Sequence, residues 1–297
     1  MTAVPAGLDR VVNQLRRIPA EARRFALTPA DALTCYRLDT GLLGAALAAG
    51  LPHVWHGTVP LLDDYDLNNL SLYLRLRSPR WAVMRYWASV LGRPAGEIRR
   101  YQVGYILSCP ASGHDGDCEF LCCTPGGGEQ VVRGTADGTT EMLLATVDLR
   151  NDWPPLPSAL VDLIEDLRDV EFFRLPDGIK WDVAFMLRER IGDCVGIARY
   201  LAAAGARRGL RTRMVFGLIV APPYSTPHFW AEVHTGGRWT PADPGLIQGM
   251  TSWGLLPPGW PAHRSPGAFL VPLTTRHGFT ASHRGLAATV SFPTRAA

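Results

Sequence analysis

Lysine is almost absent from this chain of 297 residues: Lys180 is the one lysine among 30 basic residues, and the rest are arginine. The formal charge is only +3, and the arginines form no basic run interleaved with aromatics, which excludes a nucleic-acid or anionic-membrane partner. The skew toward arginine, with much alanine, glycine and proline, fits a GC-rich bacterial genome. No segment approaches ~18 consecutive apolar residues, so no membrane span is expected. The opening MTAVPAGLDRVVNQLRRIPAEARRF spreads its charges and has no uninterrupted apolar core of the leader type. A cytoplasmic location is the expectation, with the six cysteines mostly reduced. Also missing are a P-loop, a dinucleotide fingerprint, a calcium-loop spacing of acids, internal repeats and low-complexity tracts. No cofactor is expected.

The composition that remains is globular, with 47% hydrophobic and 19% charged residues. An α+β chain is expected, in three stretches. Residues 1–95 read as helical: one helix over 7–26, and another from Thr28-Pro29-Ala30-Asp31, an N-cap with proline in the first turn, to about Gly50. A proline-containing loop follows, then helices over Asn68–Arg75 and Arg80–Leu91, which Gly92-Arg93-Pro94 ends. Residues 96–157 read as a β-meander of short apolar runs between glycine-rich turns (SGHDGD, PGGGEQ, TADGTT), closed by the linker NDWPPLP. Residues 158–297 hold two further helices, a catalytic core and a C-terminal extension.

Cys109, His114, Cys118, Cys122 and Cys123 crowd into 15 residues of the meander. Zinc takes such ligands, but there is no pair of C-x2-C knuckles, and Cys122 and Cys123 must face opposite sides of a strand. They read as small core residues, and no metal site is assigned. His53 and His56 read as structural.

Cys194 differs because of its place. Gly192-Asp193-Cys194 turns into the helix VGIARYLAAAG, where free N–H groups and the helix dipole favour a thiolate. Asp193 either opposes that charge or caps the helix. Downstream, His228, Trp230 and Glu232 alternate along a strand, Gly236-Gly237 makes a hairpin, and Asp243 ends the return strand. Such a hairpin brings histidine and aspartate side by side.

G-x-C at a helix start (Gly192, Cys194), then H-x-W-x-E-V (His228, Trp230, Glu232, Val233), then R-W-x-x-x-D-P (Arg238, Trp239, Asp243, Pro244) resembles the core of the transglutaminase-like superfamily, papain-like thiol enzymes with a Cys-His-Asp triad. The resemblance spans about residues 178–246. The family's aromatic after the cysteine is absent or altered, and Phe229 stands where alanine is usual. The resemblance implies a papain-like fold, Cys194 as nucleophile, His228 as acid and base, and Asp243 as its orienter. The Cys194 N–H is a candidate oxyanion donor, with Trp181 or Tyr200 considered for the second. Trp230 and Trp181 are the candidate substrate-binding residues.

The expected reaction is acyl transfer through a thioester, most simply amide formation from an acyl donor to an amine in bacterial specialised metabolism. The donor is a carrier-protein thioester, a peptide or a small amide. Hydrolysis by a cysteine peptidase or amidase is the alternative, and a silent binding module the third. The aromatic-rich segment at 251–267 and the helical N-terminal half are expected to cover a tunnel that keeps water from the thioester.

Overall fold

A computed structural model describes residues 5–111, 113, 114, 116–134, 143–276 and 278–297. The architecture is α+β. Contacts group the chain into two compact units, each assembled from three separated segments: Met1–Ala88, Ile164–Tyr200 and Pro244–Ala262 in the first, Ser89–Leu163, Leu201–Asp243 and His263–Ala297 in the second. Among the described residues no helix is long and apolar enough to cross a membrane.

Helix α1 (Leu8–Leu15) buries Leu8, Val11, Val12 and Leu15 along one stripe. It stops well before residue 26, because Pro19 has no N–H to donate to Leu15 and its ring would strike that carbonyl. The carbonyl of Leu15 accepts instead from the Ile18 N–H at 3.0 Å and from Arg23 Nη2 at 2.5 Å. A single turn (Ala20–Ala22) and strand β1 (Phe25–Leu27) follow. The expected cap is present at α2 (Pro29–Tyr36): the Thr28 hydroxyl accepts from the Asp31 N–H while the Asp31 carboxylate accepts from the Thr28 N–H. The helix does not reach Gly50. Arg37 turns left-handed at φ 62°, and the Asp39 side chain caps a new helix, α3 (Thr40–Ala48).

The stretch read as a loop folds into a hairpin, β2 (Val54–His56) and β3 (Val59–Asp63), turning at Gly57 with φ 62°. Strand β3 lies between β1 and β2. Asp63 ends β3 and caps α4 (Asp64–Tyr73), which therefore begins four residues before Asn68; α5 (Pro79–Leu91) follows. Within this unit Asp66 and Arg23 form a buried ion pair at 2.7 Å.

The chain then runs through β4 (Ile98–Ser108), β5 (Cys118–Thr124), β6 (Gly128–Gly134), β7 (Leu143–Arg150) and α6 (Ser158–Glu165). Next come β8 (Glu171–Phe172), α7 (Val183–Glu189), β9 (Ile191–Gly192), α8 (Cys194–Arg207), β10 (Thr212–Ile219), β11 (Tyr224–Thr235) and β12 (Arg238–Ala242). Helix α9 (Pro244–Ser252) and strands β13 (Leu270–Thr274), β14 (Ala281–His283), β15 (Leu286–Ala287) and β16 (Thr289–Ala296) complete it.

In the first unit, β8 and β9 pair in parallel. Trp253, at the end of α9, is fully buried edge-on to Phe172 and Tyr73. This part of the 251–267 segment is thus core, and not a cover over a tunnel.

The second unit holds an antiparallel sheet in the order β13-β10-β11-β16-β4-β7, with β12 also on β11, and a smaller sheet in the order β15-β14-β5-β6. Of the strands read as a meander, β5 and β6 pair as chain neighbours, whereas β4 lies between β7 and β16 and β5 turns to β14. The turn TADGTT lies outside the described residues, as do Ser112 and Asp115 of SGHDGD. Cys122 and Cys123 do face opposite ways: Cys123 joins the core of Tyr101, Val103 and Phe292, and Cys122 that of Leu107, Phe120 and Val132.

Candidate active site

Cys194 and the residues around it lie in the first unit. Asp193 precedes α8, and its Oδ1 accepts from the N–H of Val195 at 2.9 Å and of Gly196 at 3.3 Å. Of the two roles considered for Asp193, the cap is the one it fills, and it uses neither the thiol nor the N–H of Cys194. Burial pushes the Asp193 carboxyl up to about 6, against the lowering effect of the Gly196 and Val195 donors and of Lys180. Cys194 begins α8 and is partly exposed.

The glycine of G-x-C is there for space. A Cβ at Gly192 would lie 2.6 Å from Met186 Cγ and 2.8 Å from its Sδ, so any side chain there would have to displace the Met186 side chain. The Lys180 carbonyl would stand 3.4 Å from a Cβ at Gly196, which puts the Lys180-Trp181 backbone against the first turn of α8. Trp181 is 41% exposed there, and its carbonyl accepts from Arg199 Nη1 at 2.9 Å. Tyr200 stands about 9 Å further along the helix and about 240° around it. That geometry removes Tyr200 as a partner of the Cys194 N–H in an oxyanion hole.

His228 and Asp243 lie in the second unit. The hairpin at Gly236-Gly237, with φ 56° and 78°, folds β12 back on β11 and pairs Ala231 with Ala242. The next residue, Asp243, accepts through Oδ2 from His228 Nε2 at 2.5 Å. Both side chains are buried, at 7% and 2% exposure, so the pair is poorly screened. With Nε2 committed to the carboxylate, Nδ1 is the ring nitrogen that can exchange a proton with a thiol.

Trp230 is completely buried, with its ring stacked near that of His228 at 6.4 Å. Its indole N–H donates to Glu232 Oε1 at 3.2 Å, while Glu232 Oε2 accepts from Arg213 Nη2 at 2.6 Å. Arg213 in turn lies 4.0 Å over the Trp239 ring. The motif letters Trp230, Glu232 and Trp239 therefore form one support running from the imidazole, through buried Trp230 and Glu232, to the half-buried Arg213 and Trp239, and Trp230 meets the imidazole from inside the fold.

The sequence reading did not single out Arg213 or Gly217, which face this support from β10. Gly217 had a signal: a glycine inside an apolar strand marks a close approach.

Residues 171–244 match the model of the transglutaminase-like superfamily. The matched segment contains Cys194, His228 and Asp243. No curated protein matches the chain. Among solved structures, the chain is similar to "a Putative Cysteine Protease from Cytophaga hutchinsonii", at 12% identity and a TM-score of 0.35, over 68% of this chain and 92% of that one.

Proposed function

We propose that the chain is a thiol acyltransferase in which Cys194, His228 and Asp243 act together through a thioester. The observation that carries this reading is the 2.5 Å bond from His228 Nε2 to Asp243, buried over Trp230, within the transglutaminase-like segment that also starts a capped helix with Cys194. In the proposed cycle the Cys194 thiolate adds to the acyl carbon of a carrier-protein thioester, a peptide or a small amide. The developing oxyanion is met by the Cys194 N–H. The C–X bond then breaks, and the leaving group takes the proton held at His228 Nδ1. An amine attacks the resulting thioester, gives its proton to His228, and leaves as the amide while the thiolate is regenerated. Asp243 holds the ring and stabilises its cationic form throughout.

Amide formation in bacterial specialised metabolism, in the cytoplasm, is the setting proposed for this chemistry. Water as acceptor gives the hydrolase alternative with the same residues. Incubation with acyl-carrier-protein thioesters and short peptides, with and without amines, separates them by product. Amide formed faster than free acid supports the transferase. Free acid alone at saturating amine would replace it with a hydrolase.

A further inference from the structure

The loop between β4 and β5 and the end of β14 converge outside the proposed catalytic residues. Cys109 follows β4, His114 stands between Gly113 and Gly116, both left-handed at φ 84°, and Cys118 opens β5. His283 comes from the end of β14, 164 residues beyond Glu119, brought in because β14 pairs with β5 through Ala281–Cys122 and Ser282–Leu121. His114 Nε2 lies 3.3 Å from both the Cys109 and the Cys118 sulfur. The ligand atoms of all four residues lie within 4.8 Å of one another.

The two 3.3 Å separations are those that one tetrahedral ion imposes, and the widest, 4.8 Å, has to close by about 1 Å on binding. With sulfur at about 2.3 Å and nitrogen at about 2.0–2.1 Å from zinc, neighbouring ligand atoms stand roughly 3.3–3.8 Å apart. His283 supplies a second, independent observation. Its Nδ1 donates to the Glu119 carbonyl at 2.9 Å, which fixes the tautomer and leaves Nε2 as the acceptor. That Nε2 is buried and has no hydrogen-bond partner, on a side chain only 3% exposed. A buried nitrogen lone pair of this kind is costly unless something meets it. The two imidazoles stack at 4.9 Å, so both are held in place.

We propose that Cys109, His114, Cys118 and His283 bind one zinc ion as a closed, structural site. Four protein ligands leave no open coordination position, so the ion does no chemistry on substrate. It ties the β4–β5 loop to β14 across the long chain separation and completes the small sheet above the core of Leu107, Phe120 and Val132. No metal was expected from the sequence because it shows no pair of C-x2-C knuckles and its cysteines read as small core residues. The fourth depends on a strand pairing that local spacing does not encode.

The test is elemental analysis of the full-length protein, purified under reducing conditions without chelator and with any affinity tag removed, from cells grown with added zinc. The expected result is about one zinc per chain in the wild type and in a Cys194→Ala control, and loss of most of it in Cys118→Ser and in His283→Ala. Cobalt exchanged into the wild type then shows intense tetrahedral visible bands and a thiolate charge-transfer band, a readout that needs no variant to fold. The proposal is overturned by a folded, reduced wild type that holds only trace zinc and takes up no cobalt. Zinc retained in both variants, or a Cys109–Cys118 disulfide in its place, overturns it equally.

Discussion

Gly217 pairs directly with His228 across the β10–β11 ladder, and the edge of the Trp230 ring occupies the space that a side chain at 217 would fill. A Cβ there would lie 2.4 Å from Trp230 Cη2 and 2.1 Å from the Val271 carbonyl. The second of these contacts is backbone, so the neighbouring strand β13 has to shift as well. Gly217→Ala is therefore expected to cost about 1–3 kcal/mol by overpacking and to displace the support beneath the imidazole. Chemical denaturation and the activity of the folded variant check both effects. An unchanged midpoint with unchanged rate contradicts the packing described.

Asp243→Ala removes the group that orients His228. The rate constant kcat is expected to fall on the order of 10²-fold or more, with KM changed far less. Circular dichroism and steady-state kinetics on the folded variant are the checks, and a variant retaining full kcat contradicts the assigned role.

Asp193 caps α8, and its carboxyl is raised to about 6 by burial. The folded state thus holds this proton more tightly than the unfolded chain, where a carboxyl titrates near 3.9. Its contribution to stability is largest below about pH 4, declines as pH rises toward 6, and is level above that. Asp193→Asn keeps a capping oxygen without the charge. The unfolding free energy of the wild type minus that of Asp193→Asn should fall between pH 4 and 6, whereas Asp193→Ala should lose about 1 kcal/mol from the missing cap. A difference that rises over that interval contradicts the raised carboxyl.

Arg23 and Asp66 are both about 2% exposed as a pair at 2.7 Å, and Arg23 also holds the Leu15 and Ile18 carbonyls. Arg23→Met leaves a buried carboxyl without its partner and is expected to cost about 3–5 kcal/mol. Adding Asp66→Leu should recover part of it. Thermal unfolding of the two variants decides this, and equal losses in single and double variants would show that the carbonyl contacts dominate.

The sequence carries the signals that act over a few residues. Thr28-Pro29-Ala30-Asp31 specified its cap, Gly236-Gly237 its hairpin, and the alternation of His228, Trp230 and Glu232 the face of β11 that these three share, in a stretch buried on both faces. Signals weaker than a cap were overridden. Nothing between Tyr36 and Asp39 is glycine or proline, so the break at Arg37 was hidden, although Asp39 three residues before Leu42 was a readable N-cap. The β2–β3 hairpin was masked by Pro60 and by the lack of a buried face along Val54–His56, all three of which are exposed. What lies beyond local pattern is pairing between distant segments. His283 meets Cys118 only through the β14–β5 ladder, and the two units interleave segments from along the whole chain.

Intact-protein mass spectrometry after brief exposure to a carrier-protein thioester decides whether Cys194 carries the acyl group. The expected result is a single acyl adduct mapped to Cys194, discharged by added amine and absent from Cys194→Ala. Full turnover in Cys194→Ala, or an adduct that maps to another cysteine, contradicts it.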